Sequence, residues 1–131
     1  MNETRRIAPL LYYGSMTALS NEDSPVYIRL RGTIAAGIMR GDFRAGDQLP
    51  SVRALAAEHG ANPLTVAKAY QSFQDGGYVE VRRGVGMFVL PGAAERLCVT
   101  ERENFVKHQW PRIRSYIDLL GLDAADLLER A

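Results

Sequence analysis

The stretch RRGVGMFV, residues 82–89, decides the fold. Two arginines run into Gly-Val-Gly, and an apolar run follows. One reading is a glycine loop that cradles a phosphate; the other is a tight turn between two strands. A dinucleotide loop needs a strand, then glycines, then a helix whose N-terminus holds the pyrophosphate. Here strand formers stand on both sides: Tyr78, Val79 and Val81 before the glycines, Met87, Phe88, Val89 and Leu90 after them. A P-loop would also need Gly-Lys followed by Ser or Thr, and neither Gly84 nor Gly86 precedes a lysine. The glycines therefore turn a β-hairpin, where they supply a positive φ. Arg82 and Arg83 stand at its tip.

Working upstream, Gly76-Gly77 stops a helical pattern that begins at Asn62-Pro63, a capping side chain followed by a residue suited to the first helical position. Its inward positions are Val66, Ala69, Tyr70 and Phe73, and its other face carries Leu64, Thr65, Lys68 and Ser72. A shorter helix precedes it. Ser51 caps that helix, Val52, Leu55 and Ala56 share one side, and Gly60 closes it. Two short helices joined by a few residues containing a glycine form a helix-turn-helix. Neither is long enough to bury its own apolar face, so a third wall is required. Residues 25–40 supply it. Ser24-Pro25 reads as cap and first turn, Val26, Tyr27, Leu30, Ile34, Ile38 and Met39 follow a helical period, and Gly41 ends it. FRAGDQLP (43–50) reads as a turn with a short extended piece running into Pro50. A helix-turn-helix followed by a hairpin with a basic tip is a winged helix. The expected fold class is α+β, mostly helical.

Downstream, residues 92–131 read as a helical tail. Ala94, Leu97, Cys98, Phe105, Ile113, Tyr116, Ile117 and Leu120 make an apolar stripe. Trp110-Pro111 is expected to kink or break it, because the residue before proline avoids the α region. Gly121 ends the pattern, and Asp123 caps a last helix, AADLLER. Trp110, Leu119, Leu127 and Leu128 need cover, and a second copy of the chain is the expected cover. The dimerisation residues so assigned are Leu97, Phe105, Trp110, Ile113, Tyr116, Ile117, Leu120, Leu127 and Leu128. The expected organisation is an N-terminal extension (1–23), ending in the polar linker SNED, a winged helix (24–91) and the tail (92–131).

Charge and composition limit the function. The net charge of +1 is unevenly spread: residues 24–91 carry +3, and the segments on either side carry −1 each. A basic middle fits a polyanionic partner. No run reaches the ~18–20 apolar residues of a membrane span. IAPLLYY (7–13) is too short for one and lacks a following cleavage site of small residues, so a cytoplasmic protein is expected. The single cysteine, Cys98, excludes an internal disulfide or a cysteine-based zinc site and is expected to pack. His59 suits the negative end of its helix, and His108 has no partner at ligand spacing, so no metal is expected. There is no Ser/His/Asp set and no phosphate loop, so neither an enzyme nor a cofactor is expected.

PSVRALAAEHGANPLTVAKAYQSFQDGGYVEVRRGVGMFV resembles the DNA-binding domain of GntR-type bacterial transcription regulators. The matching pieces are Pro50-Ser51-x-Arg53, Leu55-Ala56, Gly60, Thr65-Val66, Ala69-Tyr70, Gly77-Tyr78 and Arg83-Gly84-x-Gly86-x-Phe88-Val89, and the likeness extends upstream to about residue 24. The short tail is similar to that of the YtrA-like subfamily, in which such helices make the dimer. The aminotransferase-like domain that follows this module in MocR-type regulators has no counterpart in residues 92–131. The sequence departs from the family pattern at Met87, where the wing usually carries Thr, at Ala67, a position often basic, and at Ala54, often acidic.

The resemblance implies that the third helix enters the major groove of double-stranded DNA. Arg53 would fork onto guanine O6 and N7 or clamp a phosphate, Leu64 would meet a thymine methyl, Thr65 would bond a base or phosphate, and Lys68 would take a phosphate. Arg83, beside the close-approaching backbone of Gly84 and Gly86, would reach the minor groove or its phosphates. Ser51, Asn62 and Arg82 complete the expected DNA-binding set. Ser51 and Asn62 read first as helix caps, and Arg82 alternates with Arg83 along the strand, so one of the two points away. The expected function is a repressor that binds an inverted-repeat operator as a homodimer. A small-molecule effector would modulate it from a cleft between tail and DNA-binding domain, near Tyr116 and Trp110. The competing reading is a winged helix used only for protein interaction. Arg53, Thr65, Lys68 and Arg83 argue against it, because such a surface does not require basic and small polar residues at these spacings.

Overall fold

Side-chain caps and glycines set the helix ends in the computed structural model, which describes residues 25–130. The expected cap at Ser24 and the extension 1–23 lie outside the described residues. The elements are α1 (Pro25–Arg40), α2 (Val52–His59), α3 (Pro63–Asp75), β1 (Val79–Arg82), β2 (Gly86–Val89), α4 (Ala93–Asn104), a π-helical turn (Phe105–Gln109), α5 (Trp110–Leu119) and α6 (Ala124–Glu129). Ser51 Oγ accepts from the Ala54 N–H at 3.0 Å and starts α2. Gly60 ends it in the left-handed region, with φ 60°, and its N–H reaches back to the last carbonyls. Asn62 Oδ1 accepts from the Leu64 N–H at 2.8 Å, and Pro63 opens α3. Asp123 caps α6 in the same way, accepting from Ala125 N–H at 2.9 Å.

The chain divides into two compact units that meet between Leu97 and Cys98. The first is built around α3, which packs against α1, α2 and β1. Leu30, Ile34 and Ile38 of α1 meet Leu55 and Ala56 of α2 and Val66, Ala69, Tyr70 and Phe73 of α3 in one core, closed by Val79 and Val89 of the hairpin. Met39, expected on this face, is exposed at the helix end instead. Phe73 is fully buried and meets Tyr78 edge to face, with ring centroids 6.4 Å apart. The Tyr70 hydroxyl donates to the Pro50 carbonyl at 2.6 Å. Burial, and then the charge of Glu58, push its pKa up to about 12, so the phenol keeps its proton and its hydrogen bond at neutral pH.

β1 and β2 pair antiparallel, with Val79 opposite Val89, Glu80 opposite Phe88, Val81 opposite Met87 and Arg82 opposite Gly86. The piece read as extended before Pro50 adds a third, short rung. Gly46 N–H donates to Val89 O at 2.8 Å, Val89 N–H to Asp47 O at 3.0 Å, and Leu49 N–H to Met87 O at 2.8 Å. Two four-residue strands alone are marginal in water, and this third edge, with Leu49 buried beneath it, anchors the hairpin to the helical body.

The tail departs from expectation at two places. Leu97, assigned above to a dimer surface, is fully buried: with Ala93 it fills the core of the first unit. The first compact unit therefore includes the first turn of α4, up to Leu97. The second difference lies at Trp110-Pro111. The helix does not break there, and Trp110 keeps φ −58° and ψ −44°. A proline inside an α-helix removes one hydrogen bond and strikes the carbonyl one turn back. The π-helical turn ahead of it, in which Trp110 N–H reaches Phe105 O, adds a residue to the turn and accommodates the ring. Phe105 stacks on Trp110 across this turn, with centroids 6.5 Å apart. In the second unit no residue of the π-helical turn, α5 or α6 is buried. Cys98 is half-buried, its Sγ 3.5 Å from the Arg102 guanidinium. No helix among the described residues is long and apolar enough to cross a membrane.

Candidate nucleic-acid interface

The expected DNA-binding residues fall on three elements of the first unit. Ser51 and Arg53 lie at the start of α2, Asn62, Leu64, Thr65 and Lys68 at the start of α3, and Arg82, Arg83, Gly84 and Gly86 on the wing. Lys68 is one helical turn from Leu64 and Thr65, so the three share a side of α3, opposed to the buried Val66, Ala69, Tyr70 and Phe73. Leu64 is 58% exposed, a large apolar side chain on a face whose neighbours are polar. Arg53 is exposed in the first turn of α2. Neither Arg53, Lys68 nor Arg83 has an ion pair or hydrogen bond among the described residues. Arg53 and Arg83 are exposed and Lys68 is half-buried, and among the described residues nothing neutralises them.

Ser51 and Asn62 act as caps, as their positions suggested, and each spends an oxygen lone pair on the backbone. The Ser51 hydroxyl proton and the Asn62 amide protons remain as donors. The two wing arginines part ways. Arg82 lies 4.0 Å over the Phe88 ring and bonds Glu80 at 3.2 Å, so it is engaged with the wing itself. Arg83 sits in the turn that follows, where Val85 N–H donates to Arg82 O at 2.9 Å. Gly84 takes φ 75° in this turn, and a Cβ there would meet nothing within 4 Å, so the backbone lies open to a close approach. Gly86 is not part of the turn: it is the first residue of β2, paired with Arg82.

Gln48 emerges from the structure as a residue of this region. Its Nε2 donates to the Val85 carbonyl at 2.9 Å, and a Cβ at Gly86 would collide with its carboxamide. The sequence signal for this contact is Gly86 itself, because a glycine inside a strand marks the close approach of another group. Nothing in the sequence names that group.

Comparison with known proteins agrees with this geometry. The family model for the bacterial regulatory proteins of the gntR family matches residues 26–89. The HTH-type transcriptional regulator YhcF of Bacillus subtilis is 32% identical over 80% of this chain and 85% of its own. The HTH-type transcriptional repressor YtrA of the same organism is 35% identical over 81% of each chain. A GntR family transcriptional regulator from Listeria monocytogenes superposes with a TM-score of 0.62 at 25% identity, over 81% of this chain and 91% of that one. A winged helix with these caps, this hairpin and these matches identifies the chain as a member of the gntR family of bacterial regulatory proteins, a transcriptional regulator with its DNA-binding domain in the first unit.

Proposed function

We propose that the chain is a cytoplasmic repressor that binds an inverted-repeat operator as a homodimer. The observation that carries the reading is the set of three cations, Arg53, Lys68 and Arg83, that have no ion pair or hydrogen bond among the described residues and stand on α2, α3 and the wing of one winged helix. Arg53 and the start of α3 read base edges in the major groove, Leu64 packs on a thymine methyl, and Lys68 and Arg83 take phosphates or the minor groove. One such module makes few contacts, and two copies on a two-fold axis double them. The repressor YtrA, with 35% identity, supports the direction of regulation.

The tail supports the dimer. Phe105, Ile113, Tyr116, Leu119, Leu120, Leu122 and Leu128 are exposed, and Trp110, Ile117 and Leu127 are half-buried. So much apolar surface marks an interaction site. Analytical ultracentrifugation at micromolar concentration is expected to give the mass of two chains. The mass of one chain would contradict the dimer. Footprinting of the region upstream of the chain's own gene is expected to show two half-sites about one helical turn apart, ~10 base pairs centre to centre. A single unpaired half-site would contradict the inverted repeat. A small molecule that changes the separation of the two winged helices would modulate binding, and a thermal-shift screen would reveal it by ligand-dependent stabilisation.

A further inference from the structure

We propose that Gln48 is the positioning residue of the wing: it holds the turn at 83–85 so that Arg83 is presented to DNA in fixed relation to Arg53. The inference rests on the DNA-binding reading and deepens it. Three observations meet at this side chain. The carboxamide Nε2 of Gln48 donates to Val85 O at 2.9 Å, a contact between residues far apart in the chain. Gly86 leaves the room that the carboxamide occupies, since any Cβ there would collide with it. The backbone at Gln48 is itself fixed, paired opposite Phe88, with Asp47 and Leu49 bonded to Val89 and Met87.

The same segment then leads without slack into α2. Leu49 is buried, Pro50 offers its carbonyl to the Tyr70 hydroxyl, Ser51 caps the helix, and Arg53 stands in its first turn. One short piece of chain therefore grips the wing tip at Gln48 and sets Arg53 at its other end. Arg82 is engaged over Phe88 and with Glu80, whereas Arg83 has no ion pair or hydrogen bond among the described residues. Within the turn, Val85 N–H bonds Arg82 O, and the Val85 carbonyl is held from outside by Gln48. Without that bond the turn samples other arrangements, and DNA must order it on binding. A preorganised turn avoids that cost.

The test is a double-mutant cycle of Gln48→Ala and Arg83→Ala, read by binding to a labelled mixed-sequence duplex at low and moderate salt. Phosphate contacts do not depend on sequence, so no operator is required. Gln48→Ala is expected to weaken binding by about threefold to tenfold, the worth of one hydrogen bond, and to lower the salt slope as Arg83→Ala does. The double variant is expected to bind no worse than Arg83→Ala alone. Losses that multiply in the double variant would overturn the inference, because Gln48 would then act on something other than Arg83. Amide exchange at Gly84 and Val85 provides the second readout: Gln48→Ala is expected to speed it while the melting temperature holds, and unchanged exchange would also overturn the inference. If the native chain fails to bind the duplex at all, the DNA-binding reading falls. Native binding without coupling removes only the role of Gln48.

Discussion

Replacing Leu97 with alanine is expected to destabilise the winged helix rather than to loosen a dimer. Leu97 is fully buried, and with Ala93 it packs into the same core as Phe73, Ile34 and Val79. Truncating a buried leucine removes its transfer free energy and leaves a cavity, and the two together cost about 2–5 kcal/mol. For a domain of this size that corresponds to a fall of roughly 10 °C or more in melting temperature. Leu128→Ala is the contrast. Leu128 is 81% exposed in the second unit, so its truncation should leave the melting transition of the winged helix in place. A denaturant titration followed by circular dichroism separates the two. If Leu97→Ala melts like the native chain but sediments as a single chain, Leu97 belongs to the dimer surface after all.

Arg53→Ala is expected to give a large loss of DNA affinity without a loss of stability. Arg53 is exposed and has no hydrogen bond or ion pair among the described residues, so the fold does not depend on its guanidinium. A bidentate arginine–guanine contact is worth about 1–3 kcal/mol of discrimination, and a homodimer makes the contact twice. Loss of affinity by about two orders of magnitude follows when both copies engage. The manner of the loss tells which partner Arg53 takes. If it reads guanine, discrimination at that base pair relaxes; if it clamps phosphate, binding weakens evenly across sequences and the salt slope falls by about one per copy. Lys68→Ala provides the phosphate-only comparison. A variant that binds like the native chain and with the same salt slope would remove Arg53 from the interface.

The parts of the fold that depend on local chemistry were legible in the sequence. Ser51, Asn62 and Asp123 cap helices through their own side chains, Gly60 and Gly84 take positive φ where a helix or hairpin turns, and Val66, Ala69, Tyr70 and Phe73 share one helical face. Each of these follows from residues a few positions apart. Two of the features that were missed, at Leu97 and Gln48, depend on distant partners, and the third, at Pro111, is local. Leu97 fits the period of an apolar stripe on the tail, and periodicity alone does not say which core a residue enters. Pro111 marks a disturbance, and periodicity does not say whether it becomes a break or, as here, a π-helical turn across which Phe105 stacks on Trp110. Gln48 is a polar residue in a short extended piece, and its role appears only when the wing folds back on it.

The wing arginines show the same division. Strand alternation predicts that Arg82 and Arg83 diverge, but which of the two is held on the sheet becomes a physical statement only with the Phe88 ring and the Glu80 carboxylate in view. The first takes the face of Arg82 and the second pairs with its fork. An exposed ion pair of this kind contributes little to stability, about 0–1 kcal/mol. Its consequence is orientation: it keeps Arg82 on the sheet and leaves the turn to its neighbour.

The most direct test of the account is a fluorescence-anisotropy titration with two duplexes at two salt concentrations. One duplex is the region upstream of the chain's own gene, and the other is its shuffled copy. A sequence-reading regulator is expected to prefer the native duplex by roughly a thousandfold or more, and to keep that preference as salt rises. Equal binding to both, collapsing together with salt, would mean phosphate contact alone and would contradict operator recognition at this site.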